Sequence, residues 1–289
     1  MCGFVGFTGG LAQREEVLQE MMDAIIHRGP DSAGTYIDDD IALGFRRLSI
    51  IDLDSGSQPM YNENRDMVIV FNGEIYNYKE LRDELIKKGH VFANNADTEV
   101  LIHGYEEYGE ELLTKLRGMF AFVIWDSKKK KLFAARDFFG IKPFYYALVD
   151  GQLVFASEIK SILKYTPYKK EMNRDALENY LTFQYSVLPE TFFKGIYKLM
   201  PSHCLTFENG RLDIKRYWEP VFEPDENTGL PEMVDRIDSA MQDSIKMHKV
   251  SDVEVGSFLS SGVDSSYVAA CFNGDKTFTV GFDYEKYNE

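Results

Sequence analysis

The sequence predicts an α+β chain in which antiparallel sheets covered by helices fill roughly the first two hundred residues and a parallel α/β unit begins after them. Three observations predict this. Hairpin signals recur three times between residues 119 and 215, helical apolar spacing appears at 14–27, 79–88 and 98–108, and a proline- and acid-rich stretch at 219–231 precedes a helix–strand–helix–strand pattern.

The elements follow in order. Residues 1–10 alternate apolar and small residues, with glycines at 3, 6, 9 and 10, as expected of a buried strand approached closely by other backbone. Val17, Met21 and Ile25 form one row beside Leu18, Met22 and Ile26, giving an amphipathic helix over 14–27. Extended runs come at 41–45, 67–71 and 119–125. The hairpins are 119–125 with 132–135, 144–149 with 153–156 about Asp150-Gly151, and 203–207 with 212–215 about Asn209-Gly210. Asp-Gly and Asn-Gly suit the positive φ of tight hairpin turns. The lysine run 128–131 reads as a solvated turn with edge protection. The stretch EPVFEPDENTGLP is a linker. After it, 233–248 and 265–272 read as helices and 253–259 and 277–282 as strands. So few elements cannot cover both faces of a parallel sheet, so this unit is expected to be the start of a longer domain. The expected division is 1–212, a connector at 213–232, and 233–289.

With 44% hydrophobic and 14% aromatic residues the chain can bury a large core. Its net charge of −15 excludes nucleic acid and anionic membranes as natural partners. Three scattered cysteines, Cys2, Cys204 and Cys271, fit a reducing compartment. Neither a signal peptide nor a run of roughly 20 apolar residues is present. A cytoplasmic protein is the expectation, with a homodimer left open.

Cys2 is the candidate nucleophile. A thiol attacks as its thiolate and needs a base. The five histidines, at 27, 90, 103, 203 and 248, show no catalytic or metal-binding spacing. At position 2 the base can be the residue's own α-amine once Met1 is trimmed, since its pKa of about 7.7–8.0 suits the task. Cys2 alone could equally start a plain strand.

The motifs Cys2-Gly3-Phe4-Val5-Gly6, His27–Ser32 (HRGPDS), Arg46–Ile50 (RRLSI) and Phe71–Asn77 (FNGEIYN) resemble those of class II, N-terminal-nucleophile glutamine amidotransferases, and within them glutamine-dependent asparagine synthetases. Stretches 118–126, 135–146 and 155–163 extend the resemblance collinearly. It implies a four-layer αββα sandwich of antiparallel sheets. It also implies roles: Asn72 and Gly73 form the oxyanion hole, Arg47 takes the α-carboxylate of glutamine, and Glu74 and Asp97 take its α-ammonium. The backbone of Leu48 and Ile50 borders the same pocket, and His27 and Arg28 brace the loop 28–32. Amide hydrolysis needs fixed donors for an oxyanion, and a zwitterion needs an arginine fork and carboxylates. Arg46 is the alternative to Arg47, and Asp97 could instead be a helix N-cap.

The segment 253–259 runs into Ser260-Ser261-Gly262-Val263-Asp264-Ser265-Ser266 and then a helix. Such a loop presents backbone N–H groups to phosphate, and it lacks the Gly-Lys-Ser/Thr ending of a Walker loop. It resembles the pyrophosphate loop of N-type ATP pyrophosphatases, with Ser261 where the first glycine is usual. The resemblance implies ATP on Leu259–Ser265 and Val280, with Mg²⁺ held by Asp264. Glutamine, aspartate and ATP are then the expected substrates. Cys2 would release ammonia, which would attack an aspartyl-AMP in a longer chain, and residues 1–289 alone would not make asparagine. Two alternatives stay open: another carboxylate acceptor, or a non-catalytic relative if Met1 is retained.

Overall fold

The computed structural model describes residues 2–49, 56–186, 188–274 and 276–284. The chain forms two compact units, Met1–Glu219 and Pro220–Glu289.

In the first unit the opening glycine-and-aromatic alternation becomes β1 (Gly3–Thr8), buried along its whole length. It is followed by α1 (Arg14–Asp23), β2 (Ser32–Ile37), β3 (Ile41–Arg47), β4 (Met60–Tyr61), β5 (Met67–Ile75), α2 (Tyr78–Lys87), α3 (Thr98–Tyr108) and α4 (Leu112–Lys115). Then come β6 (Gly118–Asp126), β7 (Lys131–Arg136), β8 (Tyr145–Val149), β9 (Gln152–Ala156), α5 (Ile159–Ile162), α6 (Arg174–Phe183), β10 (Ile196–Lys198), β11 (His203–Glu208) and β12 (Arg211–Arg216).

The strands form two six-stranded sheets, in the orders β10-β8-β9-β1-β3-β2 and β12-β11-β7-β6-β5-β4. All pairs in them are antiparallel. The inner faces pack on each other: Phe4, Leu43, Phe45 and Phe155 of one sheet share a core with Val70, Val123, Leu132 and Leu205 of the other. Alternation along β1 turns Val5 and Phe7 the other way, onto Leu18, Met21 and Met22 of α1. On the outside of the second sheet, Tyr105 of α3 stacks on Phe133 of β7 at 4.7 Å between centroids. This is the αββα arrangement of the N-terminal-nucleophile hydrolases.

Two expected hairpin turns form with positive φ at both central residues, Asp150-Gly151 and Asn209-Gly210. The turn at 128–131 is solvated, and Lys128, Lys129 and Lys130 pair with Asp66, Asp126 and Asp40. It joins two interior strands, so it protects no sheet edge. β12 continues to Arg216, past the expected start of the connector, because its register with β11 runs from His203↔Arg216 to Glu208↔Arg211. Two elements carry little sequence signal. β2 is an edge strand that pairs only with β3, and α6 buries none of its residues.

The second unit contains α7 (Leu230–His248), β13 (Ser257–Phe258), α8 (Val263–Phe272) and β14 (Thr277–Phe278). β13 and β14 pair in parallel through Ser257↔Thr277 and Phe258↔Phe278. The strands expected over 253–259 and 277–282 are this short because, among the described residues, each has the other as its sole neighbour.

One buried carboxylate organises the rim of the first unit. Asp137 Oδ1 accepts from the amides of Phe139 (3.1 Å) and Ile141 (2.9 Å), and Oδ2 from Phe120 (3.2 Å) and Lys142 (2.9 Å). Asp137→Ala strands four donors. It should lower the unfolding free energy in urea titrations by about 3 kcal/mol, with Asp137→Asn falling between it and the parent.

Candidate active site

Pairing of β1 with β3 through Gly3↔Arg46 carries Cys2 to the end of β3. There Leu48 N donates to Cys2 Sγ at 3.3 Å, and Sγ lies 3.4 Å from Leu48 O. Burial pushes the Cys2 thiol up, opposed by the Leu48 amide and by the charge of Arg47. A thiol so placed needs a base if it is to act as a nucleophile.

The second sheet brings Asn72 and Gly73 to the same place. Both lie on β5, opposite Ala121 and Phe120 of β6. The buried Asn72 amide satisfies its neighbours when Nδ2 donates to Cys2 O (3.1 Å) and Oδ1 accepts from Arg28 Nη2 (3.3 Å). At Gly73 a Cβ would sit 2.1 Å from Met119 O, so no other residue fits that backbone. Arg28 also donates from Nε to Cys2 O (2.8 Å) and from Nη1 to Glu158 (3.0 Å), and His27 reaches the same Glu158 oxygen at 2.9 Å. Arg28 therefore braces the backbone at Cys2, and His27 shares its Glu158 partner.

A cavity of about 130 Å³ joins Cys2, Asn72 and Gly73 to Arg47, Leu48, Glu74 and Asp97. Arg47 is buried at the end of β3. Arg46 faces the other way, onto Asp23 and the Met22 carbonyl of α1. Asp97 stands at the N-cap position of α3 without capping it; its Oδ2 accepts from Ile75 N at 2.9 Å. Burial pushes the Asp97 carboxyl up to about 7, with the Ile75 amide opposing and the Glu74 charge adding to the rise. Ile50, expected beside Leu48, lies outside the described residues.

Three cavity residues escape sequence reasoning. Lys142 is buried, its ammonium pushed down by burial and held up by Glu74. Gln58 Nε2 donates to Thr98 Oγ1 and to Phe71 O, both at 3.2 Å, tying β5 to the start of α3. Lys142 sits inside the motif 135–146, the one signal that could have found it, whereas Gln58 and Thr98 carry none.

In the second unit the loop 259–262 leads from β13 into α8. Ser265 Oγ knits it, lying 2.9 Å from Ser260 Oγ and donating to the carbonyls of Ser260 (3.0 Å) and Gly262 (3.1 Å). No side chain caps the first turn of α8, and a Cβ at Gly262, the N-cap, would meet nothing nearer than Ser260 Oγ at 3.3 Å. The first N–H groups after Ser261 and Gly262, those of Val263 and its successors, thus begin an uncapped ten-residue helix that fits a phosphate group. Asp264 and Ser265 border a cavity of about 560 Å³ with His248 and Lys249. Leu259 N donates to Phe278 O at 2.9 Å and Val280 follows β14, so both lie past the ends of the paired strands.

An αββα sandwich with a cysteine at the start of a central strand defines the N-terminal-nucleophile class of hydrolases. Residues 1–218 match the glutamine amidotransferase domain family, and the chain belongs to it; residues 236–289 match the asparagine synthase family. The chain is 43% identical to asparagine synthetase (glutamine-hydrolyzing) 1 of Bacillus subtilis (strain 168), over 100% of this chain and 47% of that protein. It is 37% identical to amidase chyE of Penicillium rubens, over 89% of this chain and 39% of that one. It spans about half the length of the first of these relatives. The fold is shared with glutamine PRPP amidotransferase from B. subtilis, at a TM-score of 0.57 and 16% identity, over 94% of this chain and 63% of that one.

The raised Asp97 pKa has a consequence for stability. Between about pH 4 and 7 the folded chain holds a proton on Asp97 that an unfolded aspartate, at about 3.9, has released. Stability therefore falls as pH rises through that window, by up to about 4 kcal/mol at 1.36 kcal/mol per unit. Urea titrations from pH 4.5 to 8 should show Asp97→Asn gaining on the parent as pH rises. Parallel curves for the two proteins would contradict the assignment.

Proposed function

We propose that the first unit hydrolyses glutamine and that, in the whole protein, the ammonia it releases converts aspartate to asparagine. The observation that carries this reading is the single cavity uniting Cys2 with Asn72, Gly73, Arg47, Glu74 and Asp97.

In the proposed reaction Met1 is removed, and the freed α-amine of Cys2 takes the thiol proton. The thiolate attacks the side-chain amide carbon of glutamine. Asn72 Nδ2 and Gly73 N–H stabilise the oxyanion, a contribution of about 3–4 kcal/mol per donor in comparable sites. The α-ammonium of Cys2 then protonates the leaving nitrogen, and ammonia departs from a glutamyl thioester. Water, deprotonated by the same amine, cleaves the thioester to glutamate. Arg47 pairs with the α-carboxylate of glutamine, Glu74 and Asp97 with its α-ammonium, and the backbone of Leu48 and Ile50 borders the substrate. An approaching ammonium drives Asp97 into its charged form, so binding releases a proton below about pH 7.

In the second unit ATP would lie on Leu259–Ser265 and Val280, its phosphates against the start of α8. Mg²⁺ held by Asp264 would supply charge neutralisation as the aspartate carboxylate displaces pyrophosphate. The resulting aspartyl-AMP, attacked by ammonia, gives asparagine and AMP. Support comes from the uncapped helix start and the strand-end position of Leu259 and Val280, the usual place for nucleotides on parallel sheets.

Intact mass and ammonia release test the glutaminase step together. Processed protein should lack methionine, release ammonia from glutamine and be alkylated at Cys2 by a diazoketone analogue of glutamine. Cys2→Ala should lose at least about 10³-fold in rate, since no second nucleophile replaces it. Arg47→Ala should raise KM by about 10- to 100-fold, the worth of a charge-assisted pair. Processed protein that releases no ammonia, or a Cys2→Ala variant as active as its parent, sinks the proposal.

A further inference from the structure

The histidines show no ligand spacing along the chain, yet the fold brings two of them together. His103 and Glu106 lie one turn apart on α3, His90 follows α2, and Glu63 lies between β4 and β5. One ligand atom from each lies within 4.8 Å of those of the other three. None of the four borders the Cys2 cavity.

Their hydrogen bonding is incomplete in a directed way. His103 is fully buried, and its Nε2 faces Glu99 Oε1 at 3.4 Å. That leaves Nδ1 without a hydrogen bond, 3.3 Å from Glu63 Oε2 and 3.9 Å from Glu106 Oε2. Glu106 Oε1 accepts from Asn62 Nδ2 at 3.2 Å, while its buried Oε2 also has no hydrogen bond. His90 Nδ1, by contrast, hydrogen-bonds Glu63 Oε1 at 3.2 Å and lies 3.9 Å from Glu106 Oε2, with Nε2 3.5 Å from Glu107 Oε2. When each Nε2 carries its proton toward a carboxylate, each Nδ1 lone pair points at the oxygens of Glu63 and Glu106. Of these atoms His103 Nδ1 and Glu106 Oε2 are buried without a hydrogen bond, which is costly, and a cation between them removes the cost.

We propose that Glu63, His90, His103 and Glu106 form a zinc-class metal site that ties α3 to the two loops beside it. Zinc takes nitrogen and carboxylate ligands at about 2.0–2.2 Å in a tetrahedron, whose edges are then about 3.3–3.6 Å. The four histidine–carboxylate separations, 3.2–3.9 Å with Glu63 reached through either oxygen, lie near that length, and the whole set lies within 4.8 Å. Calcium needs six to eight oxygens at about 2.3–2.6 Å and magnesium prefers oxygen alone, so two imidazoles favour zinc. Glu99 and Glu107 serve as outer carboxylates that fix the histidine tautomers. Four protein ligands leave no open position, so the ion is structural. It braces the helix whose first residues, beside Asp97, border the Cys2 cavity.

The test uses the full chain without a histidine tag, stripped with chelator and titrated with zinc against a chromophoric competitor. One zinc per chain should bind, and cobalt in its place should give the intense visible bands of a tetrahedral site. His90→Gln and Glu63→Gln, at partly exposed positions, should each weaken zinc binding by more than about 100-fold with an unchanged circular dichroism spectrum. Glu107→Gln should weaken it by about 10- to 100-fold. Zinc should raise the Tm of the parent and not that of the two ligand variants. Failure to bind zinc at micromolar concentration, or ligand variants that bind it as the parent does, overturns the proposal. The first outcome would make the cluster an ordinary set of histidine–carboxylate ion pairs.

Discussion

The face-to-face packing of the two sheets is the constraint on which the site depends. Cys2 leads into one sheet and Asn72 and Gly73 belong to the other, so the distance between the proposed nucleophile and the proposed oxyanion donors is set by how the inner faces interlock. Phe4, two residues from Cys2, sits between Phe144 at 5.5 Å and Phe155 at 6.5 Å. Gly6 lets Phe155 into the space its side chain would fill, since a Cβ there would lie 2.5 Å from that ring. A core this dense transmits volume changes instead of absorbing them. An error of about 1 Å in such a geometry costs about 100-fold in rate. The precision of the proposed site is thus a property of the core more than of the cavity wall.

The cavity's charges tell a complementary story. Arg47 and Lys142 offer two cationic groups, Glu74 and Asp97 two acidic ones, within about 130 Å³. Burial in so small a space pushes Asp97 up and Lys142 down. A zwitterionic amino acid opposes the first effect, because its ammonium stabilises the carboxylates, and its carboxylate gives Arg47 a counter-charge. The site is thus under electrostatic tension that its proposed substrate relieves, which favours a free amino acid over an uncharged amide.

Local chemistry made much of the fold legible. The turns at Asp150-Gly151 and Asn209-Gly210 could be read because their backbone demands particular residues, and α1 could be read because Val17, Leu18, Met21 and Met22 bury one face. β2 and α6 could not, because neither buries an apolar face that would leave a periodic trace. The motif residues Cys2, Arg47, Asn72, Gly73, Glu74 and Asp97 meet in one cavity. Lys142, apart from its place in the stretch 135–146, was hidden because a lone lysine in a loop has no pattern of its own; bonds of its backbone to Asp137 and Arg136 place it. The cluster of Glu63, His90, His103 and Glu106 was hidden for a related reason. Its members come from separate segments, and no spacing rule spans the chain between them.

The surroundings of Cys2 also explain why its place in the chain matters. No histidine borders the cavity among the described residues. The nearest in sequence, His27, is engaged with Glu158. Lys142 has Glu74 holding its proton, and Asp97 at about 7 lies beside a carboxylate that a substrate ammonium would occupy. Burial meanwhile makes the thiol a weaker acid, so a base is needed more here than at an exposed cysteine. The proposed base is the α-amine of Cys2, whose basicity suits neutral pH and would be abolished by an amide bond to a preceding methionine. In the proposed reaction the same residue is therefore both nucleophile and chain terminus, and the strand that begins at Gly3 holds Cys2 against Leu48 and Asn72.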